Sequence, residues 1–324
     1  MARAHVFVSN NSCSVYSVAF FAKSQCPREI SKNLLFEVLP FATGVAASGV
    51  FSAILSYADK IVLTNLVTLE KFAYYGIATT IGSFSVFLVG PIYVAVFPRF
   101  TQLVAKQEQD NLRSFYHNCC QFVSVMVLPV AIGIALFSSE IVQIWIRNPT
   151  ITSQTYIVVS ILTVGSCINA LLWMPMGLQL ANAWTRLVVT LNLFQVILIV
   201  PLLIVLTTRY NLMGAASSWL ILNIGSFLIM PYFAHKRFLK GELKRWYLKD
   251  IGYPFASAFT VVILWRIVLS WQAAFMQMSI LMSFAELVLV FVSTWTVTAL
   301  IIPITRQFIA SYAAIFRNKL NSLI

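Results

Sequence analysis

Asp59 and Lys60 stand side by side inside an otherwise apolar run between residues 39 and 78. A charge at the depth of a membrane-spanning helix costs on the order of 3 kcal/mol or more, so it is kept where it faces a bundle interior or a watery cavity. Ser48, Ser52, Ser56 and Asp59 follow at i, i+4, i+8 and i+11, on one helical face, while Val45, Phe51 and Leu55 fall on the other. Such a stripe suits a polar path. Asp59 fits proton or cation coupling, or pairing with a cation elsewhere in the bundle, and Lys60 either lines the cavity or snorkels outward. Adjacent residues diverge on a helix, so the two cannot simply neutralise each other.

A second set, Gln179, Asn182, Arg186 and Thr190, reads as one stripe of a fifth span. The planar guanidinium of Arg186 suits phosphate. The competing reading is an arginine near a helix end that snorkels to the interface. In an eighth span Glu286 stands among Ser279, Ser283 and Ser293, and Arg266 lies in the seventh. These two are expected to pair with one another, in a structural or coupling role. Asn223 and Ser226 are expected to bond between helices.

These residues need helices to position them. The 324-residue chain is 60% hydrophobic and only 10% charged, with a mean hydropathy of +0.85. Soluble domains carry about 25% charged residues. Apolar windows of about 20 residues recur, each long enough to cross a hydrocarbon core. The fold class is all-α: a polytopic membrane helix bundle of about eight transmembrane helices, near 39–65, 72–96, 119–138, 154–175, 183–206, 215–234, 251–271 and 281–304. Polar loops are expected at 99–118 and 140–152. The segments divide into a cytoplasmic or interfacial lead-in (1–35), a six-helix transport lobe (36–234), a basic amphipathic cytoplasmic linker (235–250), two terminal transmembrane helices (251–305) and a cytoplasmic tail (306–324). Phe238, Leu239, Leu243, Trp246 and Tyr247 share the linker's apolar face.

The net charge of +12 does not indicate nucleic acid, because the basic residues gather in loops between apolar segments. Sixteen of the 22 Lys and Arg fall on one side of the spans and three on the other, which places both termini in the cytoplasm. Five cysteines have no metal-ligand spacing, and an odd count gives no disulfide framework. Cys119, Cys120 and Cys167 read as small apolar residues. No zinc pattern contains any of the three histidines. No phosphate-binding loop or Asp-x-Asp pair occurs, so neither an ATPase nor a membrane glycosyltransferase is expected, and no cofactor or metal.

The order of four patterns resembles one family. Asp59-Lys60 closes a helix ahead of Tyr74-Tyr75-Gly76 and Ala78. Gly177 leads through Trp184-Thr185-Arg186 to Asn192 and Pro201. Asn211-Leu-Met-Gly-Ala-Ala-Ser-Ser-Trp219 precedes Asn223, and a basic loop precedes Asp250 and Pro254. Over roughly residues 36–305 the chain resembles the polysaccharide-exporting branch of the MATE-like flippases. The resemblance implies a fold like the second of two six-helix lobes around a central cavity, with two terminal helices added. It implies translocation of undecaprenyl-pyrophosphate-linked oligosaccharide, an O-antigen or related repeat unit, across the bacterial inner membrane by alternating access. On that reading Arg186, Asp59, Lys60, Ser52, Ser56, Gln179, Asn182 and Thr190 line the substrate path, and Glu286 and Arg266 serve structure or coupling. The partners are the lipid-linked oligosaccharide, membrane lipids and either a second lobe or a second copy of the chain, with no nucleic acid. Two alternatives stay open: a non-functional truncated remnant, and an ion-coupled exporter of drugs or organic cations. The second calls for a more acidic cavity than Asp59 and Glu286 supply.

Overall fold

Inside a bilayer every backbone N–H and C=O must be satisfied within its own segment, which drives apolar runs into helices. The computed structural model describes residues 32–273, 280–302 and 306. The expected lead-in, up to residue 31, and the tail beyond 306 lie outside the described residues, as do Ser279, Cys13 and Cys26. Helices α1 (Lys32–Leu66), α2 (Leu69–Gly82), α3 (Phe84–Ala105), α4 (Gln109–Leu136), α5 (Ser138–Ile146), α6 (Pro149–Ala181) and α7 (Arg186–Phe238) follow in order. Then come a single turn, α8 (Leu243–Arg245), a π-helical segment (Trp246–Gly252), α9 (Tyr253–Ala273) and α10 (Ile280–Ile301). Strands are absent among the described residues.

Among the described residues, seven helices are long and apolar enough to span a membrane. The 53-residue α7 is broken at Asn211, whose φ of 52° and ψ of −134° are not helical. The chain doubles back there, since Gln195 before the break bonds to Leu222 and Ser226 after it. Gly214 packs directly on the Leu206 backbone, where a Cβ would collide. Each arm has roughly 25 residues, enough for one crossing. Eight crossings result among the described residues, as the apolar windows predict.

Loops are shorter than polarity suggests. The predicted loop at 99–118 contracts to Lys106–Glu108, because α3 and α4 carry their helices on through polar residues. Much of the predicted loop at 140–152 is α5, and the predicted span at 72–96 is interrupted at Ser83. Asn148 accepts the amides of Thr150 and Ile151, with Pro149 in the first turn, so α6 starts under a defined cap.

The centre of the bundle is α6, which packs against α2, α3, α4, α5 and α7. In the most apolar windows of α4 and α6, 61% of residues are buried, against 6% in α1. One core cluster joins α3, α4, α6 and α9, and a second joins α1, α2, α6 and α7. The apolar face of 235–250 folds inward as well: Leu239 and Trp246 are buried, and Phe238 and Tyr247 pack on the first cluster. Trp265 of α9 donates to Ser293 Oγ of α10 at 2.8 Å.

The expected Glu286–Arg266 pair is not formed. Arg266 pairs instead with Glu140 of α5, its guanidinium 5.1 Å from the Phe137 ring centroid. Trp265 supplies the bond from α9 to α10, and the next residue along a helix points about 100° away. Arg266 is thereby turned from α10 toward α5.

Candidate functional site

The polar stripe of α1 opens onto a cavity of about 520 Å³ where α1, α2, α6 and both arms of α7 meet. Ser52, Ser56, Asp59 and Lys60 all line it. The side chains of Asp59 and Lys60 form no ion pair with each other. Asp59 Oδ2 accepts the hydroxyl of buried Tyr75 at 2.9 Å, and its Oδ1 accepts the Lys60 backbone N–H at 2.8 Å. The Lys60 ammonium stands 5.1 Å from the Tyr57 ring centroid, a cation–π distance.

The opposite wall is built from amides and indoles. On α7, Asn192 and Gln195 share a face at i, i+3, as do Asn223 and Ser226 across the elbow; on α6, Asn169 and Trp173 lie at i, i+4. These are locked to one another. Asn169 Nδ2 donates to Asn223 Oδ1 at 2.9 Å, and Trp173 Nε1 donates to Asn169 Oδ1 at 3.4 Å. Gln195 Nε2 donates to Ser226 Oγ at 2.7 Å, and Asn192 Nδ2 to Ser52 Oγ at 3.2 Å, which ties the wall back to α1. Thr79, Thr80, Ser83, Ser166 and Trp219 complete the polar and aromatic lining. The lining holds one acidic and one basic side chain, Asp59 and Lys60; its remaining polar groups are hydroxyls, amides and indoles. Such groups can exchange hydrogen bonds with a polyhydroxylated ligand.

The second predicted stripe does not exist as a stripe. Gln179 belongs to α6, where it is buried and donates to the Pro175 carbonyl at 3.3 Å. Asn182 caps that helix, donating to the Leu178 carbonyl at 2.8 Å. Arg186 opens α7, where it and Thr190 are exposed. Ala183, at a φ of 53°, breaks the helix between them, so the periodicity of a single span cannot hold. None of the four is among the residues lining the cavity. Sequence reading missed the rest of the polar wall as lining residues, with Thr79, Thr80, Asn169, Trp173, Asn192, Gln195, Trp219, Asn223 and Ser226 among them. The available signal was the recurrence of amides at i, i+3 in apolar spans, visible in Asn192 with Gln195.

A family model described as "Polysaccharide biosynthesis protein" matches residues 4–148, a stretch that includes α1 to α5. A Shigella flexneri protein named "Putative O-antigen transporter" is 25% identical over 205 residues, covering 62% of this chain and 46% of that protein. Both matches support a family of the polysaccharide and O-antigen flippase type. The chain spans about half the length of the curated relative it matches. With its membrane-length helices it is a multi-pass membrane protein. The α1 and α2 portions of the cavity, with Asp59, Lys60, Thr79 and Thr80, lie inside the stretch matched by the family model.

Proposed function

We propose that this cavity is one wall of a path along which a lipid-linked oligosaccharide crosses the bacterial inner membrane, in a non-enzymatic flip. The observation that carries the reading is the interlocked wall of Asn169, Asn192, Gln195 and Asn223, with Trp173 and Trp219 beside it, facing the Lys60 end of α1. Amides and hydroxyls offer both donors and acceptors to sugar hydroxyls, and indole faces suit the C–H faces of a sugar ring. Lys60 supplies the positive charge for an undecaprenyl-pyrophosphate link. Movement is by alternating access against a second lobe or a second copy of the chain, which supplies the facing wall. Both termini lie on the cytoplasmic side, as the Lys and Arg bias supports.

The test is restoration of surface polysaccharide in a strain deleted for the corresponding gene. Asn192→Leu with Gln195→Leu, and separately Lys60→Ala, are expected to lower the restored polysaccharide about tenfold at equal membrane abundance, the effect of losing roughly 1.4 kcal/mol of ligand interaction. Unchanged polysaccharide in both variants overturns the assignment of this cavity.

A further inference from the structure

Away from the cavity, a buried polar cluster joins α4 to the segment that leads into the terminal helices. His117 and Asp250 are both 0% exposed, and the Nδ1 of His117 contacts Asp250. The other ring nitrogen, Nε2, lies 3.2 Å from Glu242 Oε2 without a hydrogen bond, so only a charged ring is attracted to that carboxylate. One imidazole is therefore bracketed by two carboxylates.

The two ends of the bracket differ. Asp250 also accepts Gln121 Nε2 at 2.9 Å, and the other groups around it are neutral. Glu242 keeps 17% side-chain exposure and has alternative cations, with Arg113 Nε at 3.3 Å and Arg245 Nη1 at 3.7 Å. Gly241, at a φ of 86°, makes the turn that places Glu242. Asp250 sits in the π-helical segment Trp246–Gly252, a form that recurs at functional sites.

We propose that His117 is a proton-operated clamp between α4 and residues 239–252. With both nitrogens protonated, the ring attracts both carboxylates and the segment is docked. When one proton leaves, the remaining proton stays on Nδ1 against Asp250, where no other cation lies within bonding reach among the described residues. Nε2 then presents a lone pair to a carboxylate, so the Glu242 contact with the ring turns repulsive and the segment is left with Arg113 and the Asp250 end alone to hold it on α4. Loss of a proton from the ring removes one of its two attractions, so the clamp is closed in acid and loosens as pH rises. The other titratable groups facing this centre are His235 at the end of α7, Tyr116 and Cys120 of α4, and Tyr247 of the π segment. The charged residue of α9, Arg266, is engaged by Glu140. His235 Nδ1 is already bonded to the Pro231 carbonyl at 2.7 Å, so it is the control imidazole. The two carboxylates approach different ring nitrogens, so the cluster does not converge on one point as a metal site would.

The test is hydrogen–deuterium exchange of the purified full chain in detergent, at about pH 5.5 and about pH 8.5, corrected for intrinsic exchange. Protection of peptides within 239–252 is expected to fall about tenfold at the higher pH, more than in α6. His117→Gln should remove this pH dependence, and His235→Gln should retain it. Equal protection of the wild-type segment at both pH values overturns the proposal, whether or not the variants fold. A pH dependence that survives in His117→Gln also overturns it. Neither outcome bears on the saccharide path.

Discussion

Tyr75, at 1% exposure, donates its hydroxyl to Asp59 Oδ2 across 2.9 Å, joining α2 to the charged end of the α1 stripe. The bond gives the Asp59 carboxyl a partner in this bundle, since it forms no ion pair with the neighbouring Lys60. It also fixes which way Asp59 faces, since the residue both touches Tyr75 and lines the cavity.

Tyr75→Phe removes one donor from that carboxylate and leaves the ring in place. Hydrogen bonds to charged groups contribute about 1.5–3 kcal/mol, so the detergent-solubilised chain is expected to lose stability of that order. A thermal melt followed by circular dichroism measures it. A melting temperature equal to the wild type would mean that Asp59 is held by other groups.

Asn169 and Asn223 are coupled across α6 and α7. Polar pairs between membrane helices are worth about 0.6 kcal/mol on average and up to about 1.7 kcal/mol. A double-mutant cycle with Asn169→Leu and Asn223→Leu should return a coupling of that size. Strictly additive single losses would show that the bond contributes nothing.

Arg266 and Glu140 form an ion pair between α9 and α5, with both side chains partly exposed. Exchanging the charges, Arg266→Glu with Glu140→Arg, should restore most of the stability lost by either single reversal. A partly exposed pair is worth about 1 kcal/mol or less, so the single losses are modest. If Glu286→Gln proved as damaging as Glu140→Gln, the pairing seen here would be wrong.

Gly214 stands where the second arm of α7 leaves the Asn211 elbow, with its α-carbon against the Leu206 backbone. Backbone cannot yield as the end of a flexible side chain can. Gly214→Ala is therefore expected to cost about 1–3 kcal/mol, the range for overpacking a tight contact. Urea or thermal denaturation of the purified chain reads the loss. An unchanged variant would mean that the elbow opens freely.

Much of the fold is legible in hydropathy alone, because lipid leaves an apolar run no choice but a closed helix. Eight windows become eight crossings. Helix ends are less legible: residues 109–118 read as loop by polarity, yet α4 continues through them, as helices do beyond the hydrocarbon. The α1 stripe was visible because its polar residues keep one period on one unbroken helix. The Gln179–Thr190 set mimics that period across a break at Ala183, where spacing loses its meaning. His117, Glu242 and Asp250 are 133 residues apart at the extremes, and no local pattern joins them. Only packing of the turn against α4 brings them together.

The central claim is that the α1–α6–α7 cavity, rather than the exposed start of α7, carries the saccharide. Restoration of surface polysaccharide in the deleted strain, compared between Lys60→Ala and Arg186→Ala at matched membrane abundance, separates the two most directly. The expected result is a loss of about tenfold for Lys60→Ala and a change of less than about twofold for Arg186→Ala. The reverse order, with Lys60→Ala silent and Arg186→Ala inactive, would contradict the account.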